Sequence, residues 1–135
     1  MSESIAAPVQ PVRWKLWTGR VLTAIPALMM LISGVLKVLN GPMVVGTFTK
    51  TFGYPASAVV PIGIIELSCA IVYLIPSTQV LGAILVAGYF GGAIASHTRI
   101  GDPSLIGPLI LGLMAWGGLY LREPRLHALL PLRKP

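Results

Sequence analysis

The stretch 60-VPIGIIELSCAIVYLIP-76 decides the fold, because it is a long apolar run that contains a single carboxylate, Glu66. A helix that crosses a bilayer needs about 20 mostly apolar residues, and this run with its flanking residues approaches that length. At about 1.5 Å per residue, Glu66 lies roughly 12 Å below the membrane surface at which the helix begins. A carboxylate at that depth is costly in lipid and normally faces other helices. The stretch therefore predicts one transmembrane helix of a bundle.

The composition of the whole chain is typical of an integral membrane protein. Of its 135 residues, 55% are hydrophobic and only 10% are charged, and the mean hydropathy is +0.82. Soluble domains carry about 25% charged residues, so a soluble protein this poor in charge could not cover its surface. The net charge of +6 does not indicate nucleic acid, because the basic residues flank apolar runs, as topology signals do. The predicted partner is the lipid bilayer.

Four apolar segments predict an all-α fold, an integral membrane four-helix transmembrane bundle. The spans are residues 17–39, 58–75, 80–96 and 104–121, which together make one transmembrane domain, 17–121. Residues 1–16 and 122–135 are predicted to be basic cytoplasmic tails. Turn signals at 40–42, 76–79 and 101–103 separate the spans, and Asp102 or Ser104 is predicted to cap the fourth helix.

The distribution of basic residues predicts the orientation. Four spans place both termini on one side, and that side carries seven basic residues against three on the other. The positive-inside rule then places both termini in the cytoplasm. The longest outer loop, 43-MVVGTFTKTFGYP-55, is too short and too polar to span. We expect it to rest on the membrane surface with its aromatic side chains among the headgroups.

Small residues predict where the helices pack, because close approach at glycine, alanine and serine drives association in lipid. The third span carries a GxxxG pair, Gly88 and Gly92, with Gly91 on a second small-residue row, and these three are predicted to pack helices. Stripes at helical spacing predict the inner faces of the first two spans. The stripes are Gly19, Thr23, Pro26, Met30, Ser33 and Lys37 in the first, and Gly63, Glu66, Cys69, Ala70 and Tyr73 in the second.

Scarce ionisable residues gather at the outer ends of the spans, above all in 89-YFGGAIASHTRIGDP-103. Antiparallel helices bring the ends of the first and third spans level with the start of the second. The candidates for a ligand or proton site are therefore Glu66, His97, Arg99, Lys37 and Tyr89, with Tyr73 a further member. Structural alternatives stay open. Lys37 and Arg99 could extend to the headgroups, His97 could end a helix, and Glu66 could belong to a structural ion pair.

Cysteine usage excludes two kinds of site. The chain has one cysteine, Cys69, so it forms no internal disulfide. It has no CxxC or cysteine–histidine cluster, so no metal site is predicted. Cys69 is expected to be a small core residue.

Three segments resemble the DoxX-like family of small bacterial membrane proteins. They are 53-GYPASAVVPIGIIELSCAIVYLIPST-78, 81-LGAILVAGYFGGAIASHTRIGDP-103 and 116-WGGLYLREPRLHALLPLR-133. The resemblance implies a four-helix protein of the bacterial cytoplasmic (inner) membrane. It is similar to membrane subunits linked to quinone-dependent oxidoreductases, and it carries over no catalytic residue. Whether the protein is an enzyme is left undecided.

Two functions of different classes follow as hypotheses. In the first, the chain is an accessory subunit of a quinone-linked redox system with a ligand or proton site in the outer half of the bundle. A quinone cofactor, a membrane or cytoplasmic redox partner and a homo-oligomer go with it. The alternative is a non-catalytic scaffold or assembly factor that docks partner helices on the small-residue face of the third span. A solute or proton transporter is disfavoured, because four short helices leave little room for alternating access.

Overall fold

The computed structural model describes residues 12–133, and all regular structure in that range is helical. Four long helices form a bundle: α1 Arg13–Val38, α3 Val59–Leu74, α4 Gln79–Arg99 and α5 Ile106–Arg122. Together with the short helical turns that precede α3, α4 and α5, each is long and apolar enough to cross a membrane. The predicted all-α four-helix transmembrane bundle is confirmed.

The first helix begins earlier than predicted. It starts at Arg13, so the last residues of the predicted tail 1–16 are helical, while residues 1–11 lie outside the described part of the chain. Trp14 and Trp17 are more than half exposed in these first turns. The cations of Lys15 and Arg20 lie 5.7 Å and 5.3 Å from the two indole rings. This aromatic and basic collar suits the membrane–water boundary, so the helix extends through it.

The C-terminal segment folds back onto the bundle instead of leaving it as a tail. A short 3-10 helix, Pro124–Ala128, follows α5. Its Leu126 is 7% exposed and joins the hydrophobic core. The His127 ring stacks near the Tyr120 ring with centroids 4.2 Å apart. The predicted tail 122–135 is therefore in part a cap on the bundle, and residues 134–135 lie outside the described range.

Glycines set the closest helix contacts, and they fall where two helices of the bundle cross. A Cβ on Gly118 of α5 would lie 2.8 Å from the carbonyl oxygen of Gly19 in α1. A Cβ on Gly63 of α3 would lie 2.9 Å from the carbonyl oxygen of Gly34, also in α1. Because neither pair has room for a side chain, the backbones approach as close as glycine allows.

The predicted inner faces of α1 and α3 agree with the observed burial. Gly19, Thr23, Pro26, Met30 and Lys37 are buried in α1. All five residues of the α3 stripe are buried, including Cys69 in the core. Large side chains on the opposite faces, such as Leu28 at 58% and Ile64 at 53%, are exposed. Those faces suit contact with lipid.

The two ends of the bundle differ in packing. Gly19 near the start of α1 lies beside Gly118 near the end of α5, so both helix ends share one end of the bundle, here called the terminal end. The buried residues of α4 lie within 79–90 and those of α5 within 115–122, the parts nearest that end. In the fully described stretch 91–114, which includes the other halves, no residue is buried. The opposite end, here called the loop end, therefore encloses open space.

Candidate functional site

A cavity of about 760 Å³ occupies the loop end, between all four long helices. Its volume lies within the range of small-molecule sites, about 300–1,000 Å³. Most of its wall is apolar, from residues such as Met30 and Ile62. Polar lining residues come from three long helices, the turn after α4 and the connection between α1 and α3: Ser33, Lys37, Glu66, Tyr89, Ser96, His97, Asp102, Thr47, Thr51 and Tyr54. An apolar cavity with a few convergent polar groups is the usual form of a ligand site.

A buried ion pair between Lys37 and Glu66 forms one wall of the cavity. The Lys37 ammonium lies 2.6 Å from Glu66 Oε2, and the two side chains are 10% and 4% exposed. Ser33 Oγ donates a second hydrogen bond to the same carboxylate oxygen at 3.3 Å, and Lys37 also donates to Ser33. The structure brings Lys37 and Glu66 together, as predicted. The two opposite charges make the pair electrically neutral as a unit, and their attraction offsets the desolvation of both groups.

The crossing of α1 and α3 at Gly34 and Gly63 brings Lys37 and Glu66 together. Lys37 lies three residues after Gly34 in α1, and Glu66 lies three residues after Gly63 in α3. Residues three apart share a helix face, so both side chains emerge on the faces that meet at the crossing. A Cβ on Gly63 would lie 2.7 Å from Lys37 Cβ. A larger residue at either glycine would separate the helices and pull the two charges apart.

His97 pairs with Asp102, not with Glu66. The His97 Nδ1 atom lies 2.9 Å from Asp102 Oδ2. The other carboxylate oxygen of Asp102 accepts the backbone N–H of Ser104 at 2.9 Å, which confirms Asp102 as a helix cap. The Ser104 N–H bond, and after it the His97 imidazole, lower the pKa of the Asp102 carboxyl below its ordinary value. The carboxylate fixes the ring through Nδ1 and leaves Nε2 free of that bond.

Arg99 lies apart from the other predicted site residues. Its guanidinium is exposed, lies outside the cavity and donates to the Phe52 carbonyl oxygen. It also lies 5.8 Å from the Tyr54 ring. The helix continues three residues past the predicted end at Ser96, and this rotates Arg99 away from the bundle interior. Arg99 therefore holds the connecting segment described next.

The connection between α1 and α3 covers the loop end. Residues 42–54, here called the cap segment, comprise a short helix α2, Pro42–Gly46, one turn of π-helix, Thr47–Thr51, and three further residues. Phe48 lies 5.8 Å from the Lys37 ammonium of α1. Tyr54 hydrogen-bonds Ser96 of α4 at 2.7 Å. The segment thus links α1 to α4 across the cavity.

The aromatic side chains of the cap segment, Phe48, Phe52 and Tyr54, line the cavity. Their predicted place among the headgroups stays a prediction. Their rings pack on one another, with Phe48 6.0 Å from Phe52 and 5.9 Å from Tyr54. Phe52 also meets the His97 ring edge-on at 5.0 Å. The cavity offers apolar surface to these rings, which turn inward.

The two candidate tyrosines lie in different parts of the bundle. Tyr89 of α4 is half-buried and lines the cavity. Tyr73 lies at the terminal end, where its hydroxyl donates to the Ala115 carbonyl oxygen at 2.7 Å. Helix α3 runs from the loop end towards the terminal end, so a residue two turns beyond Glu66 leaves the cavity. Tyr73 is therefore part of the packed core, and Tyr89 stays with the candidate site.

The sequence predicted that Gly88, Gly91 and Gly92 pack against another helix, but none of them does so within the bundle. A Cβ on any of the three would meet no atom within 4 Å. The contact between α3 and α4 is made at Gly82, where a Cβ would lie 2.2 Å from Tyr73 Cα. Within the bundle, therefore, Gly82 makes the close helix contact that was predicted for these three glycines. Gly88 and Gly92 line the cavity instead.

Several site residues were not among the sequence candidates. Ser33 had a usable signal, since it lies one helical turn before Lys37 on the predicted stripe. Asp102 had a weaker signal as a predicted cap. Tyr54 and Ser96 are 42 residues apart, and no local pattern links them. Among residues 12–133, no group of three or more His, Cys, Asp and Glu side chains could hold a metal ion.

Comparison with known proteins gives one match. Residues 21–118 match the family model described as the DoxX-like family. No curated protein and no solved structure matches the chain.

Proposed function

We propose that this chain, which belongs to the DoxX-like family, binds a lipid-soluble molecule with a hydrogen-bonding headgroup in the loop-end cavity. The observation that carries the proposal is a buried ion pair, Lys37 and Glu66, on the wall of a cavity of about 760 Å³. A bundle that needed only stability would fill this space with aliphatic side chains, because voids and buried charges both cost stability.

The polar groups of the cavity suit a neutral headgroup. Lys37 and Glu66 neutralise each other, and Asp102 offsets any charge on His97. A headgroup can still receive hydrogen bonds from the Lys37 ammonium and the Tyr89 hydroxyl, and His97 Nε2 can accept or donate. A lipid tail fits the apolar remainder of the wall and the bilayer beyond it.

A quinone is the ligand class that we propose, in an accessory subunit of a quinone-linked redox system. Its carbonyl oxygens need donors, which Lys37, Tyr89 and His97 would supply. The His97 imidazole can both accept and donate a proton, and it would exchange the protons that accompany reduction. A bound quinone would contribute reversible electron and proton transfer. Glu66 would keep Lys37 in place and accept a proton or hydrogen bond from the reduced headgroup.

The location that we propose is the bacterial cytoplasmic membrane with both termini in the cytoplasm. Seven basic residues belong to the terminal side and three to the loop side, and the positive-inside rule supports that orientation. The cavity then lies in the outer half of the bilayer. A redox partner would meet the bundle from either face, and a homo-oligomer is compatible with the exposed helix faces.

The test is mass spectrometry of the lipids that co-purify with the protein in nanodiscs. Wild type is compared with Lys37→Met/Glu66→Gln, which removes both charges together and leaves neither buried alone. Lys50→Met, on the exposed side of the cap segment, is the matched control for loss of a positive charge. Folding of every sample is checked by circular dichroism, and lipid is normalised to protein.

We expect a quinone to be enriched over the bulk membrane in wild type and in Lys50→Met, and reduced to the bulk level in the double variant. Enrichment of a different lipid that the double variant loses would keep the site and change the ligand class. No enrichment in wild type would contradict the proposal. The scaffold hypothesis would then be tested by the association of Gly91→Leu and Gly92→Leu variants with partner helices.

A further inference from the structure

Eight glycines of the long helices form two groups, five at close helix contacts and three on the cavity wall. At Gly19, Gly34, Gly63, Gly82 and Gly118, an added Cβ would lie closer than 3.0 Å to another helix or its side chains. These glycines are required for packing. Three other glycines line the cavity, namely Gly88, Gly92 and Gly107, and an added Cβ on each would meet no atom within 4 Å. Packing of the described chain does not require the second group.

Glycine inside a helix is unfavourable unless something else requires it. It loses more conformational freedom on folding than any other residue, and alanine is the better helix former. Gly88 and Gly92 lie one turn apart in the interior of α4, far from either end. Alanine would fit both positions without a clash. What the glycines provide is the space in front of them, on the cavity side of α4.

The polar groups of the site lie close to Gly88 and Gly92 along α4. Tyr89 follows Gly88 directly, and Ser96 lies one turn beyond Gly92 with His97 beside it. Phe48 and Phe52 of the cap segment line the same cavity. Gly88 and Gly92 thus leave two positions of α4 without a side chain in a cavity that also has aromatic and hydrogen-bonding walls.

We propose that Gly88 and Gly92 determine which ligands the site accepts, because they form a wall of bare backbone against which a flat ring headgroup lies. The inference rests on the proposed function and specifies it: Gly88 and Gly92 contact the ring of the ligand, and not its acyl chain. A rigid ring needs a flat wall, and a methyl group that projects from it prevents close contact. A flexible chain bends around the same methyl group at little cost.

The test compares two probes that share a tail, a decyl-substituted benzoquinone and decanol. Binding to wild type, Gly88→Ala, Gly92→Ala and the double variant is measured by calorimetry in nanodiscs. Gly91→Ala is the matched control, because Gly91 lies on the same helix, also has open space for a Cβ, and does not line the cavity. Thermal unfolding of each variant is followed alongside.

We expect the double variant to bind the benzoquinone at least about tenfold more weakly, the usual effect of one misplaced methyl or methylene group in a pocket. Decanol binding should change less than twofold, and Gly91→Ala should match wild type for both probes. The alanine variants should unfold at the same or a higher temperature than wild type. A loss of affinity in a more stable protein separates a role in the site from a role in the fold.

Three outcomes overturn the inference in different ways. If wild type binds the benzoquinone and the double variant binds it equally well, the glycine wall has no role, although the proposed function stands. An equal loss for decanol and benzoquinone would mean that the wall contacts a chain. If wild type binds neither probe, the proposed function fails and the inference fails with it.

Discussion

Removal of the Glu66 carboxylate is expected to destabilise the bundle far more than removal of the whole ion pair. In Glu66→Gln, the Lys37 ammonium keeps its burial, with 10% of its side chain exposed, and loses its counter-charge. At 2.6 Å and an effective dielectric constant of about 20, the attraction between the two charges is about 6 kcal/mol. Desolvation of the two groups offsets a large part of this gain in wild type.

The single variant keeps the desolvation of Lys37 and loses the attraction. Breaking a buried pair in this way costs about 3–5 kcal/mol, and we expect about 3 kcal/mol because Ser33 still accepts from Lys37 and the cavity is adjacent. In Lys37→Met/Glu66→Gln both charges are absent, and the double variant should lie within about 1 kcal/mol of wild type. The coupling energy between the two positions should then be at least about 2 kcal/mol.

The assay is reversible unfolding in mixed micelles with increasing sodium dodecyl sulfate, followed by circular dichroism. Wild type, both single variants, the double variant and the Lys50→Met control are measured in the same detergent. The control should lie within about 0.5 kcal/mol of wild type, as exposed substitutions do. If the two single effects simply add in the double variant, Lys37 and Glu66 do not interact, and the account of the cavity wall is refuted.

Three further outcomes are expected. Gly82→Ala should destabilise by about 1–3 kcal/mol in the same assay, because its Cβ would lie 2.2 Å from Tyr73 Cα and overpacking displaces backbone; an unchanged midpoint would contradict this contact. Tyr73→Phe should cost about 1 kcal/mol through loss of the 2.7 Å bond to the Ala115 carbonyl, and no loss would show that the hydroxyl is not satisfied there. The lowered pKa of Asp102 contributes stability above its ordinary value of 3.8 and loses it as the pH falls through the lower folded value. Acid unfolding should therefore be less steep below that pH in Asp102→Asn, and identical acid profiles would contradict the hydrogen bonds of Asp102 to Ser104 and His97.

Burial on the helix faces could be predicted from the sequence, because it follows from one requirement that acts on each helix separately. Small and polar residues at a spacing of three and four lie on one side of a helix, and lipid excludes them from the other. This is why the stripe from Gly63 to Tyr73 is buried as predicted, and the stripe from Gly19 to Lys37 is buried except for the half-buried Ser33. The pairing of Lys37 with Glu66 follows from the same rule, since each charge needs the other.

The contacts at the loop end could not be predicted in this way. His97, Arg99 and Tyr89 lie within eleven residues of one helix, yet they face the Asp102 turn, the cap segment and the cavity respectively. Which of these a side chain meets depends on the rotation of α4 and on where the helix ends. A shift of one residue rotates a side chain by about a quarter turn, so the three residues added at the end of α4 point in directions that a loop would not give them.

Taken by itself, the sequence determined a four-helix membrane protein with polar inner faces, because hydrophobicity is a property of each segment that adds along the chain. It also determined that Glu66 faces protein, because lipid leaves a carboxylate no alternative. Only the tertiary structure decided that Gly82 packs against a neighbouring helix while Gly88 and Gly92 face a cavity. All three glycines have the same local chemistry. What separates them is the position of the other three helices and of the cap segment, which depends on all contacts of the bundle at once.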